Sequence, residues 1–207
     1  MPDISHEEQS TEHAEAAALA ALNQGIELEQ AQDLQAAVQA YKQTLKSGHL
    51  SQTGPGREAG AQAGFNLGLL LGEANDSEGA LRAFWYSVEM GRLSERTVGR
   101  EAGAASAFNL GLMLEEAQST EAALQAYRVS VVLGRLSETG AGREAGAKAA
   151  FGLALILGEA EDGDGALQAY RDCVELGRLS ETSEGFEARS KASYNLSLLE
   201  KQVEGSS

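Results

Sequence analysis

Asparagine stands at positions 23, 66, 109 and 195, spaced by multiples of 43 residues, with Gly152 interrupting the series. A side-chain amide both donates and accepts hydrogen bonds, so a row of them on one surface can pair with the backbone of an extended peptide whatever its sequence. The same side chain can equally bond a neighbouring helix, and both readings stay open. Beside the asparagines stand Leu22, Phe65, Phe108, Phe151 and Tyr194, followed four residues on by Ile26, Leu69, Leu112, Leu155 and Leu198. An apolar stripe of this kind suits the hydrophobic anchors of a bound peptide or amphipathic helix, or else the packed core of a repeated element. Arginine recurs at 57, 100 and 143 and again at 92, 135 and 178, with His49 in the second series. Such ladders can grip a carboxylate in bidentate fashion, or pair with Glu58, Glu101, Glu144 and other local acids as solvated salt bridges.

Other chemistries find less support. Asp162-Gly163-Asp164-Gly165 has the opening of a calcium loop, but the remaining ligands of a twelve-residue loop are missing. Cys173 occupies the position of Thr44, Ser87 and Ser130, which reads as a packed small residue. A single cysteine makes neither an internal disulfide nor a multi-cysteine zinc site, and two of the three histidines, His6 and His13, lie in a polar N-terminal stretch. No Ser-His-acid or Cys-His constellation recurs, so the expectation is a non-enzyme with no metal and no cofactor. Sixteen Lys and Arg against 31 Asp and Glu give a net charge of -15. That field repels phosphate backbones and anionic lipid, and it favours a neutral or basic protein partner over nucleic acid or membrane. The N-terminus lacks the basic start and apolar core of a secretory signal, which predicts a cytoplasmic protein.

The elements that must position these residues follow from an internal repeat. Residues 58–100 match 101–143 at 25 of 43 positions without a gap, and 101–143 match 144–186 at 26 of 43. A weaker copy spans 15–57, and a half copy follows from Glu187. Within each unit two stretches show helical spacing: Phe65, Leu67, Gly68, Leu69 and Leu71 in helix A, and Ala80, Leu81, Phe84, Val88 and Met90 in helix B. The connections Asn75-Asp76-Ser77, Gln118-Ser119-Thr120 and Asp162-Gly163-Asp164 are short and polar, so each pair must fold back as an antiparallel hairpin. Helix B is predicted to stop at Gly48, Gly91, Gly134 or Gly177 in a left-handed cap. Helix A is predicted to follow a loop in the first unit, near Gly54-Pro55-Gly56, and to be longer afterwards, with Ser94, Ser137 and Ser180 as alternative caps. Gly68 and Gly111 are expected opposite Ala80 and Ala123, letting two backbones approach, with Phe84 and Tyr127 filling the space toward the next unit.

These residues resemble the tetratricopeptide repeat. The helix A pattern appears as Gly64-Phe65-Asn66-Leu67-Gly68 with Leu71, and as Ala107-Phe108-Asn109-Leu110-Gly111 with Leu114. The helix B pattern appears as Ala37, Tyr41 and Thr44; Ala80, Phe84 and Ser87; Ala123, Tyr127 and Ser130; and Ala166, Tyr170 and Cys173. The resemblance implies an all-α, right-handed solenoid of antiparallel helix pairs: four repeats over 15–57, 58–100, 101–143 and 144–186, and a capping helix over 187–203. A polar acidic tail at 1–14 and a short tail at 204–207 would flank it, and Ser5-His6-Glu7-Glu8 has capping-box form. Arg189, Lys191, Ser193 and Ser197 in the cap stand where Gly146, Lys148, Ala150 and Ala154 stand before it, as a solvated end requires. Two departures are the 43-residue period, against about 34 for the family, and the missing proline after helix B.

In the family helix A lines a concave groove that binds peptides. The resemblance therefore implies Asn23, Asn66, Asn109, Phe65, Phe108, Phe151, Leu69, Leu112, Leu155 and Lys148 as peptide-binding residues of a non-catalytic interaction scaffold. Of the family's carboxylate-clamp cations, Lys148 and Lys191 are the matches on that face, too few for a full clamp. The alternative expectation is a self-assembling scaffold, a homo-oligomer joined through the same apolar groove or its N-terminal helix.

Overall fold

The computed structural model describes the backbone of residues 4–51 and 53–205 and the side chains of 10–51 and 53–201. Among the described residues it is helical, without strands: α1 (Ile4–Gln30), α2 (Leu34–Leu50), α3 (Gly54–Glu73), α4 (Ser77–Leu93), α5 (Thr97–Glu116), α6 (Thr120–Leu136), α7 (Gly140–Glu159), α8 (Gly163–Ser180) and α9 (Ser183–Gly205). The chain forms two compact units, one ending at Ser106 and one beginning at Ala107, so the boundary falls inside α5. Helix α1 already begins at Ile4, within the stretch read as a tail; the capping-box side chains of Ser5 to Glu8 lie outside the described residues.

The turn from each A helix to its B helix is a single device used four times. A non-glycine residue takes the left-handed conformation: Gln32 (φ 62°), Asn75 (60°), Gln118 (58°) and Glu161 (61°). The next residue donates its N–H back five positions, as in Asp76 N to Leu71 O at 2.8 Å and Asp162 N to Leu157 O at 2.9 Å, which closes a Schellman turn. That residue is also the N-cap of helix B. The Asp33, Asp76 and Asp162 carboxylates accept from Ala36 N (3.2 Å), Gly79 N (2.8 Å) and Gly165 N (2.9 Å). The Asp-Gly-Asp-Gly run is thereby accounted for as a helix start.

The passage from helix B to the next A helix differs from expectation. Helices α2, α4 and α6 do not stop at Gly48, Gly91 and Gly134 but run two residues further, and no described glycine has positive φ. Among the B helices only α8 ends left-handed, and there the residue is Glu181 (φ 57°). The glycines instead mark where helix B meets the backbone of the following A helix. A Cβ on Gly48 would lie 3.0 Å from Gly56 O and 3.2 Å from the Gly60 Cα. One on Gly134 would lie 2.8 Å from the Gly146 Cα and 2.9 Å from Gly142 O. Tight backbone crossing, not chain reversal, requires glycine at these positions.

The A helices also start in register, against the expected loop in the first unit. Helices α3, α5 and α7 all span 20 residues, and Gly54-Pro55-Gly56 forms the first turn of α3 behind the N-cap Thr53. Thr53, Thr139 and Thr182 accept from Gly56 N (3.3 Å), Gly142 N (3.1 Å) and Gly185 N (3.1 Å). Ser94, Ser137 and Ser180 do not cap helix A; they are buried at the end of helix B. Proline fits the first turn because the N–H it lacks has no intrahelical acceptor there.

In the first unit α1 packs on α2 and α3, α2 on α3, and α3 on α4. Its core gathers Ala18, Leu22, Ala37, Tyr41, Ala59, Ala63, Leu67 and Leu70. In the second unit α7 packs on α6, α8 and α9, and α8 on α9, around Tyr127, Val131, Leu153, Ile156, Tyr170, Cys173 and Leu176. Gly68 does not bring two backbones together, as its pairing with Ala80 had suggested. A Cβ there would come 2.5 Å from the Phe84 ring, and one on Gly25 the same distance from Tyr41, so each glycine makes room for the helix B aromatic of its own pair. Buried hydroxyls beside the rings bond to backbone: Thr44 Oγ1 to Ala40 O at 3.0 Å, and Ser87 Oγ to Ala61 O at 2.7 Å. On α8 Cys173 takes that position, and burial, helped by the charge of Asp172, pushes its thiol up to about 12.

Ser106 Oγ is buried without a hydrogen-bond partner among the described residues. The equivalent residues in the other repeats are Ala63, Ala149 and Ala192. Ser106→Ala is therefore expected to raise stability by about 1 kcal/mol, the cost of a buried unsatisfied hydroxyl. Urea denaturation of the full chain measures it as a higher midpoint.

Candidate functional site

The residues expected to bind a peptide lie on helices α1, α3, α5 and α7. In the first unit Phe65 is half-buried, with its ring 6.3 Å from that of Phe84, and Leu69 is 40% exposed. Asn66 Nδ2 donates to Tyr41 Oη at 3.2 Å, and that hydroxyl donates to Glu29 Oε2 at 2.5 Å. Burial, the Glu29 hydrogen bond and its charge hold the Tyr41 phenol well above its ordinary value, against a smaller opposing effect of Asn66. Asn23 is exposed on α1, beside the buried Leu22.

In the second unit the same positions converge on a cleft of about 460 Å³. Phe108 and Leu112 of α5, and Phe151, Gly152 and Leu155 of α7, supply its apolar wall; Glu115, Tyr127, Lys148, Glu184, Glu187, Ala188 and Lys191 complete it. The Phe108 ring lies 6.2 Å from Tyr127, and Phe151 lies 5.9 Å from Tyr170, so both phenylalanines are half-buried against the helix B aromatics. The leucines are not absorbed into the core: Leu112 is 40% and Leu155 43% exposed. On α9 the repeat continues with Tyr194 and Leu198, both exposed, and Asn195 Nδ2 donates to Tyr170 Oη at 3.0 Å. Asn109 is half-buried on α5.

Lys148 reaches the cleft but is held there. Its Nζ lies 2.5 Å from Glu184 Oε2, 3.4 Å from Glu144 Oε1, and 5.2 Å from the centre of the Phe108 ring. Burial pulls the ammonium toward the neutral form, but the two carboxylates outweigh it and hold its pKa above the ordinary lysine value. Lys148 in turn lowers that of Glu184. Lys191 pairs with Glu187 at 2.6 Å. Tyr127 Oη donates to Glu115 Oε2 at 2.7 Å; burial first, then that carboxylate, raise the phenol's pKa.

The arginines at 57, 100 and 143 turn inward to backbone carbonyls, whereas two of the second series pair with local acids, as expected, though with Asp172 and Glu89. Arg57 Nη1 donates to Leu93 O at 3.4 Å, Arg100 Nε to Ser94 O at 3.1 Å, and Arg143 to Ser137 O at 3.2 Å and Leu179 O at 3.1 Å. Each satisfies carbonyls left open at the end of a B helix and favours its negative dipole end. In the other series Arg135 pairs with Asp172 at 2.5 Å and Arg92 with Glu89 at 3.6 Å. Glu58 receives Arg96, a residue outside both ladders.

The sequence pointed to neither Glu115 nor Glu184, and it placed Tyr127 only as a packing residue of helix B, not in the cleft. The interruption at Gly152 was visible, but its consequence was not, because the residue that an asparagine bonds there lies 25 positions earlier on another helix. Among the described residues no group of three or more His, Cys, Asp or Glu side chains is placed to hold a metal, and no helix is long and apolar enough to cross a membrane. Compared with protein-family models and with curated proteins, the sequence finds no match.

Proposed function

We propose that the chain is a non-catalytic protein-interaction module of tetratricopeptide-like repeats, whose helix pairs stack in the right-handed sense within each unit, and that the helix A face of the second unit takes a peptide segment of a partner. The observation that supports this reading is the repeated exposure of leucine at Leu112, Leu155 and Leu198, between 40% and 43%, beside the exposed Tyr194. Leucines exposed in register along one face are an apolar surface that association can cover. Phe108, Phe151, Leu112 and Leu155 would take apolar anchors, and Leu69 and Phe65 offer the same positions in the first unit. Asn66, with its amide on Tyr41, keeps its carbonyl oxygen for a peptide N–H. The net charge of -15 directs the module to neutral or basic partners in a cytoplasmic setting, with attraction that weakens in salt.

The test is selection of binders from a displayed library of random dodecapeptides on the full chain and on Leu112→Asp/Leu155→Asp. Both leucines are exposed enough that the double variant is expected to fold. Peptides selected by the wild type are expected to bind the variant at least tenfold more weakly. Equal binding by both proteins overturns the groove reading. If no peptide is selected and the wild type sediments as an oligomer that the double variant does not form, self-assembly through this face takes its place.

A further inference from the structure

The tyrosine of helix B is the centre of a small hydrogen-bond relay, and comparing its copies shows where one member is lacking. At Tyr41 the relay is complete: Asn66 donates to the phenolic oxygen, and the hydroxyl donates to Glu29. At Tyr170 the asparagine is again present, as Asn195. At Tyr127 the carboxylate is present, as Glu115 at 2.7 Å, but the residue 25 positions on is Gly152. The backbone at Gly152 stays close to the ring, since a Cβ there would sit 3.1 Å from Tyr127 Cζ and 3.4 Å from Oη. So the space that an asparagine side chain takes beside its tyrosine belongs here to the cleft, and Glu115, Tyr127 and Gly152 all line it.

The charges around this point are uneven. Of the cleft's carboxylates, Glu184 is paired with Lys148 and Glu187 with Lys191. Glu115 has no cationic partner among the described residues and accepts only the phenol. A donor entering over Gly152 meets two acceptors, the Tyr127 oxygen and the Glu115 carboxylate. Phe108, Phe151 and Leu155 offer an apolar lining for the stem that carries it.

The geometry points to a specific subsite: the Gly152 notch receives an arginine or lysine side chain of the bound peptide, which donates to Tyr127 Oη and pairs with Glu115. A cation satisfies both acceptors, whereas a neutral amide would leave the Glu115 charge uncompensated. This inference rests on the peptide-binding reading of the same face and adds to it the residue type that the face selects.

The probes are a dodecapeptide selected on the wild-type chain and its analogues in which each basic residue in turn is replaced by alanine or, for arginine, by the uncharged isostere citrulline. Binding is followed by fluorescence polarisation. At one position, both replacements are expected to weaken binding to the wild type at least tenfold. Gly152→Asn supplies the repeat's own side chain, and Tyr127→Phe removes the oxygen while keeping the ring, as Phe84 does at the equivalent position. Both variants, checked by circular dichroism, are expected to lose that tenfold preference, read on each variant as the ratio of its affinities for the parent peptide and the alanine analogue. Glu115→Gln is expected to abolish discrimination between arginine and citrulline. Selected peptides without a basic residue, or an undiminished preference in Gly152→Asn and Tyr127→Phe, overturn the subsite while leaving the groove in place. Selected peptides insensitive to Leu112→Asp/Leu155→Asp overturn the groove reading and this subsite with it.

Discussion

Gly134→Leu is expected to destabilise the second unit by about 3 kcal/mol or more, while Gly158→Ala, on the neighbouring helix α7, is expected to stabilise it by roughly 0.5 kcal/mol. Both glycines sit in helices and both have negative φ, so helix propensity favours replacing either one. What separates them is the surroundings. A Cβ at Gly158 meets nothing within 4 Å, whereas one at Gly134 meets the Gly146 Cα at 2.8 Å and Gly142 O at 2.9 Å. Those neighbours are backbone, which cannot rotate aside as a side chain can, so even alanine forces α6 and α7 apart. Gly134→Ala is accordingly expected to be intermediate, with a net loss of about 1–3 kcal/mol. Urea unfolding followed by circular dichroism ranks the three. A Gly134→Ala protein as stable as wild type would show that the helices separate without cost, and the crossing would then not set the repeat geometry.

Tyr41→Ala is expected to cost about 3–5 kcal/mol, and Tyr41→Phe about 1–2 kcal/mol. The ring is fully buried in the first unit, and Gly25 is shaped to it: a Cβ there would come 2.5 Å from the ring. Removing the ring leaves a cavity in the core that also holds Ala18, Leu22, Ala63 and Leu67. Removing the hydroxyl alone leaves that packing intact but strips Glu29 and Asn66 of their shared partner. The smaller figure follows because Glu29 and Asn66 are both half-buried and water can replace much of what they lose. Thermal or urea unfolding of the two variants gives the comparison. A Phe variant as damaged as the Ala variant would place the stabilising role in the hydrogen-bond relay and not in the ring.

The features that could be read without coordinates are those encoded within a few residues. The 43-residue period, the A and B helices and the polar turns between them depend on local spacing, turn composition and helix propensity, and the helices fall in those stretches. The candidate site was legible in part: Phe108, Leu112, Lys148, Phe151 and Leu155 do share one cleft in the second unit. The glycines at 48, 91 and 134 misled because the local rule for a glycine near a helix end favours a left-handed cap. The alternative, a backbone crossing, needs the next helix to be in place. The start of helix A misled for a related reason, since Gly54-Pro55-Gly56 has loop composition, yet Thr53 caps it and proline suits a first turn.

What the sequence determined by itself, then, is the repeating order of helix, turn and helix, because each N-cap and each apolar stripe acts over one to four turns of its own chain segment. The tertiary structure alone decided which groups those helices present to one another. Asn66 finds Tyr41 across 25 residues and Arg57 finds the Leu93 carbonyl across 36. Leu112 stays exposed while Leu110, two residues before it, is buried. Contacts at such separations exist only after whole helices have packed, since the direction of each side chain is set by the rotation of its helix against two neighbours and not by the residues beside it in the chain.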